Sequence, residues 1–255
     1  MLSQVFASEP TTGPPTSSII YLSDPRGDAI NRPMRVLYHH PVSPYARKER
    51  LALAEKRLPF ELRLEKTWER RPEYLALNPA GTVPTLVEDN GLVIPDSGAI
   101  CEYLEEAYPD NTLLGQTHAE RAEVRSQVAW FDQKFNQEVT INLVREKLLK
   151  RLASSGGPDA SALRAGYANL RNHLIYIGWL AETRKYLAGA FLSYADLAAA
   201  AHLSAIDFGG DVDWSVSAAA KEWYARIKCR PSFRPLLTDA VSGITPPAHY
   251  SDLDF

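Results

Sequence analysis

Asn78-Pro79-Ala80-Gly81-Thr82-Val83-Pro84-Thr85-Leu86 decides how the rest of the chain is read. An Asn-Pro-Ala-Gly turn leads into Thr82 and Val83, and Pro84 biases the residue before it toward an extended backbone. Val83-Pro84 is a candidate cis peptide that presents the Val83 backbone to a ligand, with an ordinary trans turn as the alternative. The strand over residues 83–87 is followed by Asp89-Asn90-Gly91 and then Leu92-Val93-Ile94. Two short β-rich runs around Asn-Gly predict a hairpin. Asp96-Ser97 then places a carboxylate and a hydroxyl at the start of a helix whose Ile100, Tyr103, Leu104 and Ala107 share one face.

Upstream, Arg35-Val36-Leu37-Tyr38 reads as a strand ending at His39 and His40, and Pro41-Val42-Ser43-Pro44 as a turn. Good helix formers fill residues 45–56, with Leu51 and Ala54 three apart. Residues 60–64 alternate as a second strand, and a short helix runs from about Trp68 to Leu77. The order β-α-β-α-β-β-α suits a mixed sheet with helices on both faces. Tyr108-Pro109-Asp110-Asn111 ends that unit, and everything beyond it reads as helices. The longest covers residues 117–152, about 50 Å at 1.5 Å per residue. Its apolar row is Val124, Val128, Phe131, Phe135, Val139, Leu143 and Leu148. Three more helices follow over residues 160–182, 194–205 and 218–230, and Ser193-Tyr194-Ala195-Asp196 reads as a reciprocal cap.

The remaining composition excludes more than it specifies. A net charge of -3 leaves no electrostatic footprint for nucleic acid, and no apolar run is long enough to span a membrane. Two cysteines, Cys101 and Cys229, do not make a disulfide framework and suit a reducing cytoplasm, with buried packing as their default role. His39 and His40 are adjacent on a strand end and face opposite ways. His118, His173 and His202 show no ligand spacing, so no metal is expected. Residues 1–33 hold five Pro, two Gly, five Ser and three Thr without helical or strand period. They read either as a flexible extension or as sequence ahead of a natural start at Met34.

The 78–86 segment, the Asp96-Ser97-Gly98-Ala99-Ile100-Cys101-Glu102-Tyr103-Leu104 helix and the Ser-Tyr-Ala-Asp cap, in this order and spacing, resemble the glutathione transferase superfamily. The resemblance covers residue 34 to about residue 237. It implies a GST fold, α/β plus all-α: a thioredoxin-like domain over 34–108, an all-helical domain over 115–240, and usually a two-fold dimer. The extension over 1–33 and an extended tail over 241–255 flank them. It also implies that Ser43 or Tyr45, at the start of the first helix, supplies the hydroxyl that faces the glutathione sulfur. A helix N-terminus and a hydrogen-bond donor both favour a thiolate. Val83 with Pro84 would supply the backbone contact, and Asp96 and Ser97 the grip on the γ-glutamyl end. Ser43 stands where thiol-disulfide members carry cysteine, and Thr82 stands where Lys or Gln is common. No cofactor is required on this reading, glutathione is an optional ligand, and Ser43 is the catalytic residue if the protein is a transferase.

Two further features extend the reading. The chain ends in Pro246-Pro247-Ala248-His249-Tyr250-Ser251-Asp252-Leu253-Asp254-Phe255, where alternating acidic and bulky apolar residues suit docking in a partner's groove, with a tail folded back on its own helices as the alternative. The long helix ends in Arg145, Lys147, Lys150 and Arg151, which complement the helix dipole or face an acidic partner. With Trp68-Glu69-Arg70-Arg71, the segment Trp130-Phe131-Asp132-Gln133-Lys134-Phe135 and the ending from His249 through Asp252, Leu253 and Asp254 to Phe255, the chain is similar to a bacterial branch of the superfamily that binds the tubulin-like division protein FtsZ. That resemblance implies a non-catalytic, cytoplasmic homodimer at the division site. It associates with FtsZ filaments and links the Z-ring to septal cell-wall synthesis. The basic helix end is the candidate contact for an acidic filament surface, and the tail, especially Asp252 and Phe255, the candidate contact for a second partner. The rival expectation is a glutathione transferase acting on small electrophiles through Ser43.

Overall fold

The computed structural model describes residues 20–21 and 34–253. The sheet is mixed and runs β1 (Ile20–Tyr21), β5 (Leu92–Pro95), β4 (Thr85–Val87), β2 (Val36–His39), β3 (Glu61–Leu64). β2 is parallel to β3, with Leu37 opposite Leu62, and antiparallel to β4, with Leu37 opposite Leu86. β4 and β5 form the expected hairpin, Leu86 facing Ile94. The backbone of Ile20–Tyr21 pairs antiparallel with β5, so the stretch read as lacking strand period contributes a short edge strand. The rest of that stretch, and its reading as a flexible extension, lies outside the described residues. β3 is exposed along its whole length, which makes the predicted alternation at residues 60–64 an edge strand rather than a half-buried one.

Helices cover both faces. α1 (Pro44–Glu55) and α3 (Ser97–Ala107) pack on one face over Leu37, Leu86 and Ile94. α2 (Pro72–Leu77) packs on the other through Tyr74 and Leu77 against Val93. Hydroxyl and carboxylate caps set where α1 and α3 start. Ser43 Oγ accepts the Ala46 N–H at 3.3 Å, and Asp96 Oδ1 accepts those of Gly98 and Ala99 at 2.7 and 3.1 Å. Asp96 reaches this geometry with φ at +79°, a region that non-glycine residues seldom occupy.

α4 is the long helix. It begins as His118–Ala129 behind a Thr117–Glu120 capping box, continues as Trp130–Leu149 and closes with Lys150–Leu152. The middle segment uses wider pairing, the Lys150 N–H reaching the Arg145 carbonyl five residues back. The sequence carries the reason. Phe131, Phe135, Val139, Leu143 and Leu148 are all buried and recur every four or five residues, longer than the 3.6-residue turn of an α-helix. A tighter helix would rotate that row out of the core, whereas i→i+5 pairing keeps it aligned. Such pairing is rare and often sits at functional sites.

α5 (Ala160–Thr183) packs on α4, and Gly166 permits the approach: a Cβ there would lie 2.8 Å from Leu143 Cδ2. α6 (Tyr194–Phe208) is buried along its entire length between α1 and α4. The Asp196 carboxylate ties its start, accepting from the Ser193 N–H and hydroxyl at 3.1 Å and from the Leu187 N–H and Trp223 Nε1 at 3.0 Å. α7 (Ala218–Lys228) and α8 (Arg234–Leu237) complete the helical part.

The end of the chain differs from the extended, projecting tail that its prolines suggest. Ala248–Ser251 forms a turn of helix, α9, that folds back onto α6 and α7. Tyr250 is fully buried, edge-on to Phe208, and its hydroxyl meets Arg47 Nη1 at 2.7 Å. His249 Nε2 lies 2.9 Å from Asp207 Oδ1, and Lys228 Nζ donates to the His249 carbonyl at 2.9 Å. Composition hides this because one aromatic side chain with a buried hydrogen-bond partner outweighs a run of polar neighbours. Asp252 is exposed and Leu253 half-buried, while Asp254 and Phe255 lie outside the described residues.

Candidate functional site

A cavity of about 600 Å³ opens where the start of α1, the 81–84 loop and the start of α3 face the wide segment of α4. Ser43, Tyr45, Val83, Pro84, Asp96 and Ser97, drawn from three separate stretches of sequence, all line it. The Val83-Pro84 bond is cis. Thr82 also lines the cavity, and its carbonyl accepts from Asn78 Nδ2 at 2.8 Å.

Ser43 and Tyr45 are not equivalent. Ser43 is half-buried, and its oxygen only accepts from the helix start, so its O–H remains available to donate into the cavity. Tyr45 forms wall rather than plug: its hydroxyl donates to the Asp132 carbonyl at 2.6 Å. Burial, reinforced by the Asp132 carboxylate, pushes the phenol up to about 12. It therefore cannot serve as a phenolate near neutral pH.

Beneath Ser97 lies a buried polar cluster that sequence reasoning missed. Lys48 and Glu49 are fully buried, and Lys48 Nζ bonds directly to the Asp132 carboxylate while staying 3.9 Å from Glu49 Oε1. Ser97 Oγ donates to Glu49 Oε1 at 2.9 Å, and the Cys101 thiol approaches the same oxygen at 3.3 Å. Burial pushes Glu49 up to about 7, with Lys48 opposing, and lifts the Cys101 thiol well above its ordinary range. Asp132 would also rise on burial, but Lys48 and then His202 hold it below its ordinary value. His202 Nε2 stands 3.4 Å from Asp132 Oδ1, and its Nδ1 meets Thr140 Oγ1 at 2.8 Å.

α4 supplies the other half of the wall through Asp132, Gln133, Asn136, Thr140, Ile141 and Val144, with Arg145 and Leu149 beyond. None of these but Arg145 was a sequence candidate. Their signal was the four-to-five-residue spacing of the buried row behind them. His40 lines the cavity edge-on to Trp68, and His39 is buried beside it. Burial, with nearby arginines, lowers both to about 4, so both are neutral.

The partner candidates are scattered. Of the basic helix end, Lys147 pairs with Asp211, and Lys150 pairs with Glu146 at 2.5 Å. Glu146 in turn accepts the Asp159 N–H at 2.8 Å. Lys150 and Glu146 thus brace the 146–159 turn, Lys147 ties α4 to the loop after α6, and both ammonium groups remain partly exposed. Arg145 and Arg151 are exposed. In the tail, His249 and Tyr250 face the protein's own core. Cys229 is exposed rather than packed.

Relatives carry this arrangement into a family. Residues 37–112 match the profile of the glutathione S-transferase N-terminal domain. "FtsZ-localized protein A" of Caulobacter vibrioides is 51% identical over 224 residues, covering 87% of this chain and 98% of that protein. The structure of FzlA from C. crescentus superposes with a TM-score of 0.85 at 51% identity, over 87% of this chain and all of that one. A structure named as a glutathione S-transferase from Rhodospirillum rubrum superposes with a TM-score of 0.86 at 62% identity and the same coverage. The chain belongs to the glutathione S-transferase superfamily, on the branch it shares with FtsZ-localized protein A.

Proposed function

We propose that this protein is a bacterial cell-division factor that uses a glutathione-transferase fold to associate with FtsZ filaments and to link the Z-ring to septal wall synthesis. The observation that carries the reading is the 51% identity to FtsZ-localized protein A across 98% of that protein. Arg145 and Arg151 are the candidate contacts for an acidic filament surface, because Lys147 and Lys150 are committed within the fold. A two-fold dimer would display that patch twice, so that weak contacts gain avidity along a filament. Asp252, Leu253, Asp254 and Phe255 form the candidate second contact, the first two following directly on α9. The site of action on this reading is the cytoplasmic division site.

The test is co-sedimentation of the full chain with GTP-polymerised FtsZ, with and without glutathione. Binding that ignores glutathione supports the adaptor, and no pelleting at low or high salt contradicts it.

A second reading, glutathione transfer to small electrophiles, is favoured by the Ser43 hydroxyl in an open cavity and by the 62% identity to a protein named as a transferase. Chemistry would then rest on Ser43 donating to the sulfur at the α1 N-terminus. Conjugation that Ser43→Ala abolishes would establish it.

A further inference from the structure

Glu49 is buried, reaches the cavity only through Ser97, and has no part in either functional reading. One ammonium, that of Lys48, faces two buried carboxylates and bonds directly to one of them, Asp132. Glu49 keeps the longer 3.9 Å contact, and its Oε2 is buried without a hydrogen-bond partner. Two carboxylates sharing one cation inside a protein do not both ionise easily, and the less well paired one takes the proton.

The other groups facing Glu49 do not supply the missing charge. From α3 come Ser97 and the Cys101 thiol. From the start of α6, Tyr194 donates to the Cys101 carbonyl at 3.3 Å. From α4 comes Asp132, backed on α6 by His202, whose pKa burial lowers. Lys48 is thus the single cation of the cluster among the described residues.

Hydrogen-bond direction then connects Glu49 to the cavity. A hydroxyl has one hydrogen to donate. While Glu49 is ionised, that hydrogen is committed to Oε1, and the side chains of Asp96 and Ser97 offer a ligand only acceptors. When Glu49 Oε1 carries a proton, it donates to Ser97 Oγ, and the Ser97 O–H turns toward the cavity. We propose that Glu49 is a positioning residue whose proton sets the direction of the Ser97 hydroxyl, so that a ligand carboxylate enters this corner together with one proton. The N-terminus of α3, an 11-residue helix, adds a favourable field for the same anion. Burial raises Glu49 to about 7, which places the exchange near neutral pH.

The inference rests on the cavity accepting a carboxylate-bearing ligand of the kind the transferase reading requires, and glutathione is the probe. Isothermal titration of the full chain with glutathione, from about pH 5.5 to about pH 8.5 in buffers of different ionisation enthalpy, reads both affinity and proton uptake. Affinity is expected to be level below about pH 7 and to fall up to about tenfold per pH unit above it, with uptake approaching one proton. Glu49→Gln keeps a donor toward Ser97 and should bind at every pH as the parent does on the acid side. Ser97→Ala should bind weakly without pH dependence. Affinity that Glu49→Gln lowers equally at all pH, or binding without proton uptake in the parent, overturns the proposal.

A ligand-free readout separates this proposal from the transferase reading. Carbon-13 carboxyl titration should show one glutamate near pH 7 that vanishes in Glu49→Gln and moves higher in Ser97→Ala, which removes a hydrogen bond to the ionised form. A glutamate 49 that titrates in the ordinary range, or that ignores Ser97→Ala, overturns the coupling. If the coupling is present but glutathione binds at no pH, the cavity is not a carboxylate site, and both the ligand half of the proposal and the transferase reading fail.

Discussion

The two sides of helix α1 bury charge in opposite ways. Arg47, Lys48, Glu49 and Arg50 are consecutive and all buried. On one side Arg47 and Arg50 are closed off by the end of the chain. Arg47 bonds to Tyr250, to Ser204 Oγ at 2.9 Å and to the Pro41 carbonyl, and Arg50 forms a two-pronged pair with Asp239 at 2.7 and 2.9 Å. On the other side Lys48 and Glu49 lie under an open cavity, and their cluster has one cation for two carboxylates. The closed side spends its charge on holding the fold together, and the open side keeps a group that can take up a proton. Among the four helix residues, each side leaves one buried polar atom without a hydrogen-bond partner, Arg47 Nη2 and Glu49 Oε2, but only Glu49 can relieve the shortfall by taking up a proton.

Breaking the closed side should have the largest effect. Tyr250→Ala removes a fully buried ring and the Arg47 partner, with an expected loss of about 4 kcal/mol in urea denaturation. A loss below about 1 kcal/mol would mean that α9 is not docked as described. Lys48→Met on the open side leaves Asp132 and Glu49 without their cation and should cost about 3 kcal/mol at neutral pH. Acidification should recover part of that cost as the carboxylates protonate, whereas Tyr250→Ala should show no such recovery.

Stability against pH sharpens the contrast further. His39 and His40 have folded values lowered to about 4 from 6.5, so the unfolded chain binds more protons between those values. Each should remove about 1.4 kcal/mol per unit as pH falls through that window. Glu49 has the opposite sign: raised to about 7 from 4.5, it binds more protons when folded and costs stability as pH rises through that range. Glu49→Gln should therefore gain on the parent from pH 4.5 to 7, by as much as about 3 kcal/mol. A stability difference that does not change with pH would contradict the buried-proton account. The smallest effect is expected at the cavity mouth, where Ser43→Ala loses a cap worth about 1 kcal/mol. Its filament association should be unchanged.

The fold was legible because its signals were local. Asn-Gly between two β-rich runs gave the hairpin, Asp96-Ser97 the start of α3, and the Ser193 and Asp196 pair the start of α6. Six cavity residues came through the family resemblance that those local motifs carry, each sitting at the start of a helix or in the 78–86 loop. The cavity floor was not legible, because nothing local marks four consecutive charged residues as buried. Only the crossing of α1 by α4, α6 and the chain end encloses them. The far wall was hidden by assuming a 3.6-residue turn. The row from Phe131 to Leu148 already departs from that period, and the departure aims Asp132, Asn136 and Thr140 at the cavity. The tail misled for a different reason: Pro246-Pro247 marks a bend into the body, and the burial of Tyr250 depends on a partner, Arg47, two hundred and three residues away.

The most direct test of the central claim is a co-sedimentation comparison with GTP-polymerised FtsZ using the parent, a double variant of Arg145→Glu with Arg151→Glu, and Ser43→Ala. Both arginines are exposed, so their reversal should leave thermal unfolding unchanged. The account predicts that the parent and Ser43→Ala pellet equally, that added salt weakens both, and that the double reversal stays in the supernatant. A parent chain that does not pellet, or a double reversal that pellets as the parent does at every salt concentration, would contradict it.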